Sequence, residues 1–169
     1  MDTINLKMRI FFRILLGIVI TISVNGCGYG DRIHHEEFHR KFNQMPKYSF
    51  VDVQKVLDDQ IIQWNIGSVD GFMKGYWQSD SMLFITSKGP RYGYQAVSDS
   101  YKKNYPSKEA MGTLRFEIVK MQWIEQQASI CEVLGKWHID ESSSPKSGYF
   151  SLIFKAIQGK PRIVIDHTW

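Results

Sequence analysis

The chain has 169 residues, 43% of them hydrophobic and 14% aromatic, enough to build a core within one domain. Its net charge of +4 falls to about +2 without residues 1–26, which hold Lys7, Arg9 and Arg13 against Asp2, and no dense Lys/Arg run follows. That excludes a nucleic-acid footprint, and two cysteines, Cys27 and Cys131, exclude a disulfide framework.

In chain order, the three N-terminal basic residues precede the apolar run from Ile14 to Val24. This run has the length of a signal-peptide core and is short for a membrane span. Val24-Asn25-Gly26-Cys27 follows and resembles a bacterial lipobox, whose cysteine is lipidated and becomes the new N-terminus. The expected organisation is a signal peptide over 1–26, a tether over 27–48 beginning at lipidated Cys27, and a folded domain over 49–169. The location it implies is the bacterial cell envelope, with the chain held to the membrane by lipid. A cleaved signal with an exported soluble chain, or an uncleaved anchor, is the alternative.

The tether carries His35-Glu36-Glu37-Phe38-His39, a literal H-E-x-x-H. On a helix this spacing holds zinc between two imidazoles with the Glu as general base. Here its flanks are polar, and it precedes a domain that is complete without it. It reads as an accident of a His/Glu-rich linker, so neither metal nor cofactor is expected.

Ser49 with Asp52 forms a capping-box start. Val53, Val56, Leu57, Ile61 and Trp64 then recur at helical spacing, and Gly67 ends the helix. Ser68 caps a second, shorter helix running through Phe72 towards Tyr76 and Trp77. Met82–Thr86 reads as a strand, Gly89-Pro90 as a turn, and Tyr94–Tyr105 as a third helix stopped by Pro106.

From Leu114 the period becomes two. Leu114, Phe116 and Ile118 alternate, then Val119, Met121 and Trp123 do; the slip at Ile118-Val119 predicts a β-bulge. Further strands run through Cys131, Val133, Gly135 and Trp137, over Tyr149–Ile157, and over Arg162–Thr168. A loop over 141–146 and a tight turn at Gln158-Gly159 connect them. Helices followed by a run of antiparallel strands give an α+β class.

Several stretches together resemble the nuclear transport factor two-like superfamily, in its SnoaL-like (polyketide cyclase-like) branch. They are Trp64-Asn65-Ile66-Gly67, Asp70-Gly71-Phe72, Tyr76-Trp77, Tyr105-Pro106, Met111-Gly112-Thr113-Leu114, Gly135-Lys136-Trp137 and Arg162-Ile163-Val164-Ile165-Asp166-His167-Thr168. Ser68, Pro161 and Ile165 depart from the family pattern; Ile165 stands where a first His often precedes Asp-His. The resemblance implies a cone: a strongly bent antiparallel sheet wrapped around one long helix with two shorter helices, and a pocket at the open end. It specifies the fold far better than the function, because the fold hosts isomerases, cyclases, dehydratases and non-catalytic modules.

A two-residue hairpin at Gln158-Gly159 pairs Ile157 with Lys160, and unbroken pairing then sets Phe154 opposite Ile163, Leu152 opposite Ile165 and Phe150 opposite His167. With Trp137 paired to Phe150, one face is apolar and faces the helix. Glu132, Lys136, Lys155, Arg162 and Asp166 occupy the other face, towards solvent or a dimer partner. His167 thereby becomes the candidate acid/base, with a satisfied core histidine as the bland reading. Trp64, Tyr76, Tyr101, Tyr105, Trp137 and Phe150 join it as candidate ligand-binding residues, although aromatics at helical spacing also serve as plain core. No carboxylate is placed inside the cone. Cys131 reads as a small buried hydrophobe. The leading expectation is a membrane-tethered homodimer binding a small apolar or amphipathic molecule. An isomerase, cyclase or lyase using His167, and a dimeric scaffold with a vestigial pocket, are the alternatives.

Overall fold

The computed structural model describes residues 46–140 and 145–169. The expected signal peptide, Cys27, the H-E-x-x-H stretch and most of the 141–146 loop lie outside the described residues.

The long helix α1 (Phe50–Asn65) starts where the capping box places it: the Ser49 side chain accepts from the Asp52 amide, and the Asp52 carboxylate accepts from the Ser49 amide. It ends in a Schellman motif, with Ser68 N–H donating to the Gln63 carbonyl and Gly67 N–H to that of Trp64. Gly67 sits at φ +84°, a conformation costly for any side chain. Val53, Leu57 and Trp64 are buried along one stripe.

Helix α2 (Val69–Met73) is shorter than its sequence pattern implies. The chain leaves it before Tyr76, which instead makes a parallel bridge to Ile163. Strands β1 (Leu83–Thr86) and β2 (Gly89–Tyr92) form a hairpin, so Gly89-Pro90 begins a strand and the turn falls at Ser87-Lys88. Helix α3 (Tyr94–Asn104) ends ahead of Pro106, and a four-residue helix α4 (Lys108–Met111), capped by Ser107, was not legible in the pattern.

Strands β3 (Thr113–Glu125), β4 (Ile130–Asp140), β5 (Lys146–Ile157) and β6 (Lys160–Thr168) complete a bent, unclosed six-stranded sheet in the order β2-β1-β6-β5-β4-β3. All pairings are antiparallel except β1–β6, which is parallel. The fold class is α+β as expected, with this one departure from a purely antiparallel sheet.

The helices cover the concave face, where Val133, Leu152, Phe154 and Ile163 are buried with Leu57 and Trp64. Asn65 ties helix to sheet: its Nδ2 donates to the Leu114 carbonyl at 3.0 Å and its Oδ1 accepts from the Leu114 amide at 2.8 Å. Residues ahead of α1 also dock. Lys47 N–H donates to Ser129 Oγ at 2.7 Å, and the Tyr48 hydroxyl donates to the Ser129 carbonyl at 2.9 Å.

Among the described residues, three register shifts interrupt the sheet; one, between Trp123 and Glu125, falls at the very end of β3, and the other two decide which side chains face inward. The first of these two lies in β3 between Ile118 and Lys120, at the slip the pattern predicts, but Val119 is 54% exposed and does not share the inward face of Met121 and Trp123. The second lies between β5 and β6: Phe154 pairs with Ile163, but Ile153 pairs with Ile165, so Val164 is an extra residue. Beyond it, Leu152 faces Asp166 and Phe150 faces Thr168.

Candidate functional site: a carboxyl group inside the cone

Adjacent strand residues point to opposite faces, so one extra residue exchanges inside for outside. The expectation that His167 faces inward and Asp166 outward is therefore overturned by the bulge at Val164. Asp166 is 5% exposed and lines the cavity. His167 is exposed, with its ring 4.8 Å from that of Trp169. The other residues assigned to the outer face, Glu132, Lys136, Lys155 and Arg162, are all partly or fully exposed.

A cavity of about 240 Å³ lies between the helices and the sheet. Trp64, Tyr76, Tyr101, Tyr105, Trp137 and Phe150 all line it; His167 does not. The pairing behind Trp137 and Phe150 differs from the expected one by two residues, Gly135↔Phe150 and Trp137↔Gly148. A shift of two preserves the face, so both rings still point inward. Gly135 fixes this register, because any side chain there would collide with the Phe150 ring.

The aromatic wall is built from interlocking edges. Trp64 meets Phe72, Tyr101 and Tyr105 in T-shaped contacts at 5.2, 6.1 and 4.7 Å. Its indole N–H donates to the Met111 carbonyl at 2.8 Å, so Trp64 offers the cavity only its apolar surface. Gln60, buried beside it, donates to the Phe72 carbonyl at 3.2 Å.

At the sheet end of the cavity the Tyr76 hydroxyl donates to Asp166 Oδ2 at 2.7 Å. Tyr76 is placed from both sides: Trp77 N–H donates to the Ile163 carbonyl at 2.9 Å, and Ile163 N–H donates to that of Gly75 at 3.0 Å. The Tyr101 hydroxyl shares a hydrogen bond with that of Tyr76. Burial pushes both phenols well above their ordinary range, with the Asp166 charge adding to it, so both stay neutral donors.

Burial likewise raises the Asp166 carboxyl from 3.8 to about 7, and the Tyr76 hydrogen bond offsets this only in part. Among the described residues Asp166 Oδ1 has no hydrogen-bond partner, and neither does buried Trp137 Nε1, which also lines the cavity. A carboxyl group poised near neutrality, next to two phenols in an apolar cavity, can both accept and return a proton.

Cys131 is fully buried, and burial pushes its thiol up to about 11, so it is an inert core residue. Among the described residues, no three His, Cys, Asp or Glu side chains gather as a metal site.

A crystal structure from Shewanella oneidensis MR-1, an NTF-2 like protein of unknown function, shares 31% identity with this chain, covering 70% of it and 97% of the other, at a TM-score of 0.68. The chain belongs to the nuclear transport factor 2-like superfamily. Two more distant structures match at the level of architecture alone. One is a domain of unknown function with a cystatin-like fold from Nostoc punctiforme, with 14% identity over 72% of this chain and 78% of that one, TM-score 0.59. The other is a nuclear transport factor 2-like superfamily protein from Salmonella enterica, with 11% identity over 69% and 87%, TM-score 0.54. No protein-family model and no curated protein matches the sequence. The match spans 97% of the Shewanella chain, and Lys41–Trp169 of this chain form one compact unit.

Proposed function

We propose that the cavity binds a small, partly apolar molecule whose polar group is received by Asp166. The observation that carries this reading is the unpartnered Asp166 Oδ1 in a cavity walled largely by aromatic and aliphatic side chains. A buried polar atom without a partner costs on the order of 1–3 kcal/mol, and a ligand's donor removes that cost. At about 240 Å³ the space suits a molecule smaller than a typical drug. Trp64, Trp137 and Phe150 leave this space open, which weighs against a scaffold with a vestigial pocket. The SnoaL-like assignment, a second copy as partner, and attachment to the cell envelope through lipidated Cys27 belong to the same proposal and rest on the sequence motifs.

Native mass spectrometry of residues 41–169, purified without an affinity tag, tests the binding reading. Chains carrying a non-covalent organic mass are expected, and Leu152→Trp, which fills the cavity, should lose it. A bare chain that also fails to take up phenylalkyl alcohols and acids contradicts it.

A second reading, an isomerase or lyase, is favoured by one arrangement: the Asp166 carboxyl, pushed up to about 7 by burial, lies against the Tyr76 hydroxyl inside the cavity. Asp166, in place of His167, would accept a proton from carbon beside a ligand carbonyl and return it, with Tyr76 and Tyr101 as neutral donors. Deuterium wash-out from a bound ketone such as 4-phenylbutan-2-one, abolished in Asp166→Asn, is the expected signature. Equal wash-out in the variant sinks the catalytic reading and leaves the binding one.

A further inference from the structure

A second hollow, about 590 Å³, opens beside the aromatic cavity and shares Phe84, Thr86, Ser100 and Asn104 with it. Three cations rim it: Lys88 from the β1–β2 turn, Arg91 from β2 and Lys103 from the last turn of α3. All three are exposed, and none makes an ion pair with a described residue. The one acid on the rim, Asp99, accepts a hydrogen bond from Gln95 at 2.8 Å. Lys102, next to Lys103, is held instead by Asp70 at 2.7 Å.

The hairpin register explains how a surface cation comes to serve an interior space. Arg91 is paired with Phe84, and directly opposed residues project from the same face of a sheet. Phe84 lines the aromatic cavity, so Arg91 stands beside its mouth. The combined space is therefore polarised: a carboxyl group at depth, apolar walls between, and three cations against one acid at the opening.

We infer that the occupant of the cone is an amphipathic anion, held with its carboxylate or phosphate at Lys88, Arg91 and Lys103, its apolar body running inwards and a donor at its far end meeting Asp166. The orientation is fixed by charge. An anionic group at depth would be buried against a lining that holds no cation, whereas at the rim it meets cations in partial contact with water. This inference rests on the cavity being a small-molecule site.

The test is calorimetric titration of residues 41–169 with 4-phenylbutyrate and with 4-phenylbutan-1-ol, which share one apolar body. The carboxylate is expected to bind roughly tenfold more tightly at low salt, with the difference shrinking at high salt. The triple variant Lys88→Gln, Arg91→Gln, Lys103→Gln should lose this preference and keep its affinity for the alcohol. Lys103→Glu alone should reverse part of it, and serves if the triple variant fails to fold. Co-sedimentation with phosphatidylglycerol/phosphatidylcholine vesicles separates the sources: binding that the triple variant loses assigns the anion to a lipid headgroup, and no binding assigns it to a soluble molecule. Equal affinity of the two probes in the unaltered chain, or a preference that survives the triple variant, overturns the inference while leaving the binding reading intact. If neither probe binds, both fall.

Discussion

At the scale of the residue, Asp166 dominates the physics of this domain. Its carboxyl titrates at about 7 in the fold against 3.8 for an ordinary aspartate. Between those values the folded chain holds a proton that the unfolded chain has released, so the contribution of Asp166 to stability is greatest below pH ~4 and is lost as pH rises through about 7. The span corresponds to at most about 4 kcal/mol, at 1.36 kcal/mol per pKa unit. Asp166→Asn has no charge to bury. It is expected to melt above the unaltered chain at pH 8 and to lose that advantage at pH 4, as thermal unfolding followed by circular dichroism at both values would show. Equal melting differences at the two values would mean that the carboxyl is not buried. Much of the surrounding site is legible from composition and spacing alone. Trp64 lies on the α1 stripe, Trp137 and Phe150 alternate into the apolar face, and Tyr101 and Tyr105 share a helical face. Asp166 is not legible, because its side is set by a backbone irregularity upstream rather than by its own neighbours.

At the scale of the element, the two bulges explain why one half of the sheet could be read and the other could not. In β3 the slip leaves a mark: polar residues Arg115 and Glu117 precede Ile118-Val119, and Lys120 and Gln122 follow, so the phase on either side is visible. In β6 the extra residue sits within Ile163-Val164-Ile165, three apolar side chains in a row, and period two cannot choose between them. The family's Asp-His pair then looks correctly placed for an inward histidine when the opposite holds. The missed strand β2 has a different cause. Proline at position 90 argues against a strand interior, but β2 is an edge strand, where a missing amide is tolerated. Gly135 makes the element scale testable. A Cβ there would fall on the Phe150 ring and within 2.9 Å of the Glu117 carbonyl. Gly135→Ala is expected to cost about 1–3 kcal/mol, as overpacking does. It should also push Phe150 into the cavity, so that denaturant titration and probe binding decline together. A variant as stable as its parent would place Phe150 elsewhere.

At the scale of the whole molecule, the sheet and helices form a wall around one polarised space, and the chain arrives at the β3–β4 turn through Lys47 and Tyr48. Among the described residues no helix is long and apolar enough to cross a membrane. Attachment to the envelope, as proposed, rests on the apolar run after Arg13 and on Cys27. Cys27→Ala in the full chain is expected to abolish labelling by radioactive palmitate. Labelling retained in this variant contradicts the lipid anchor.

The central claim is that a carboxyl group, not an imidazole, faces the interior of the cone. Carbon-13 resonance of the Asp166 side-chain carboxyl, followed from pH 3 to pH 9 and assigned by its loss in Asp166→Asn, measures this directly. A midpoint near 7 is predicted. A midpoint near that of a free aspartate would put Asp166 in water, remove the bulge at Val164, and return His167 to the cavity.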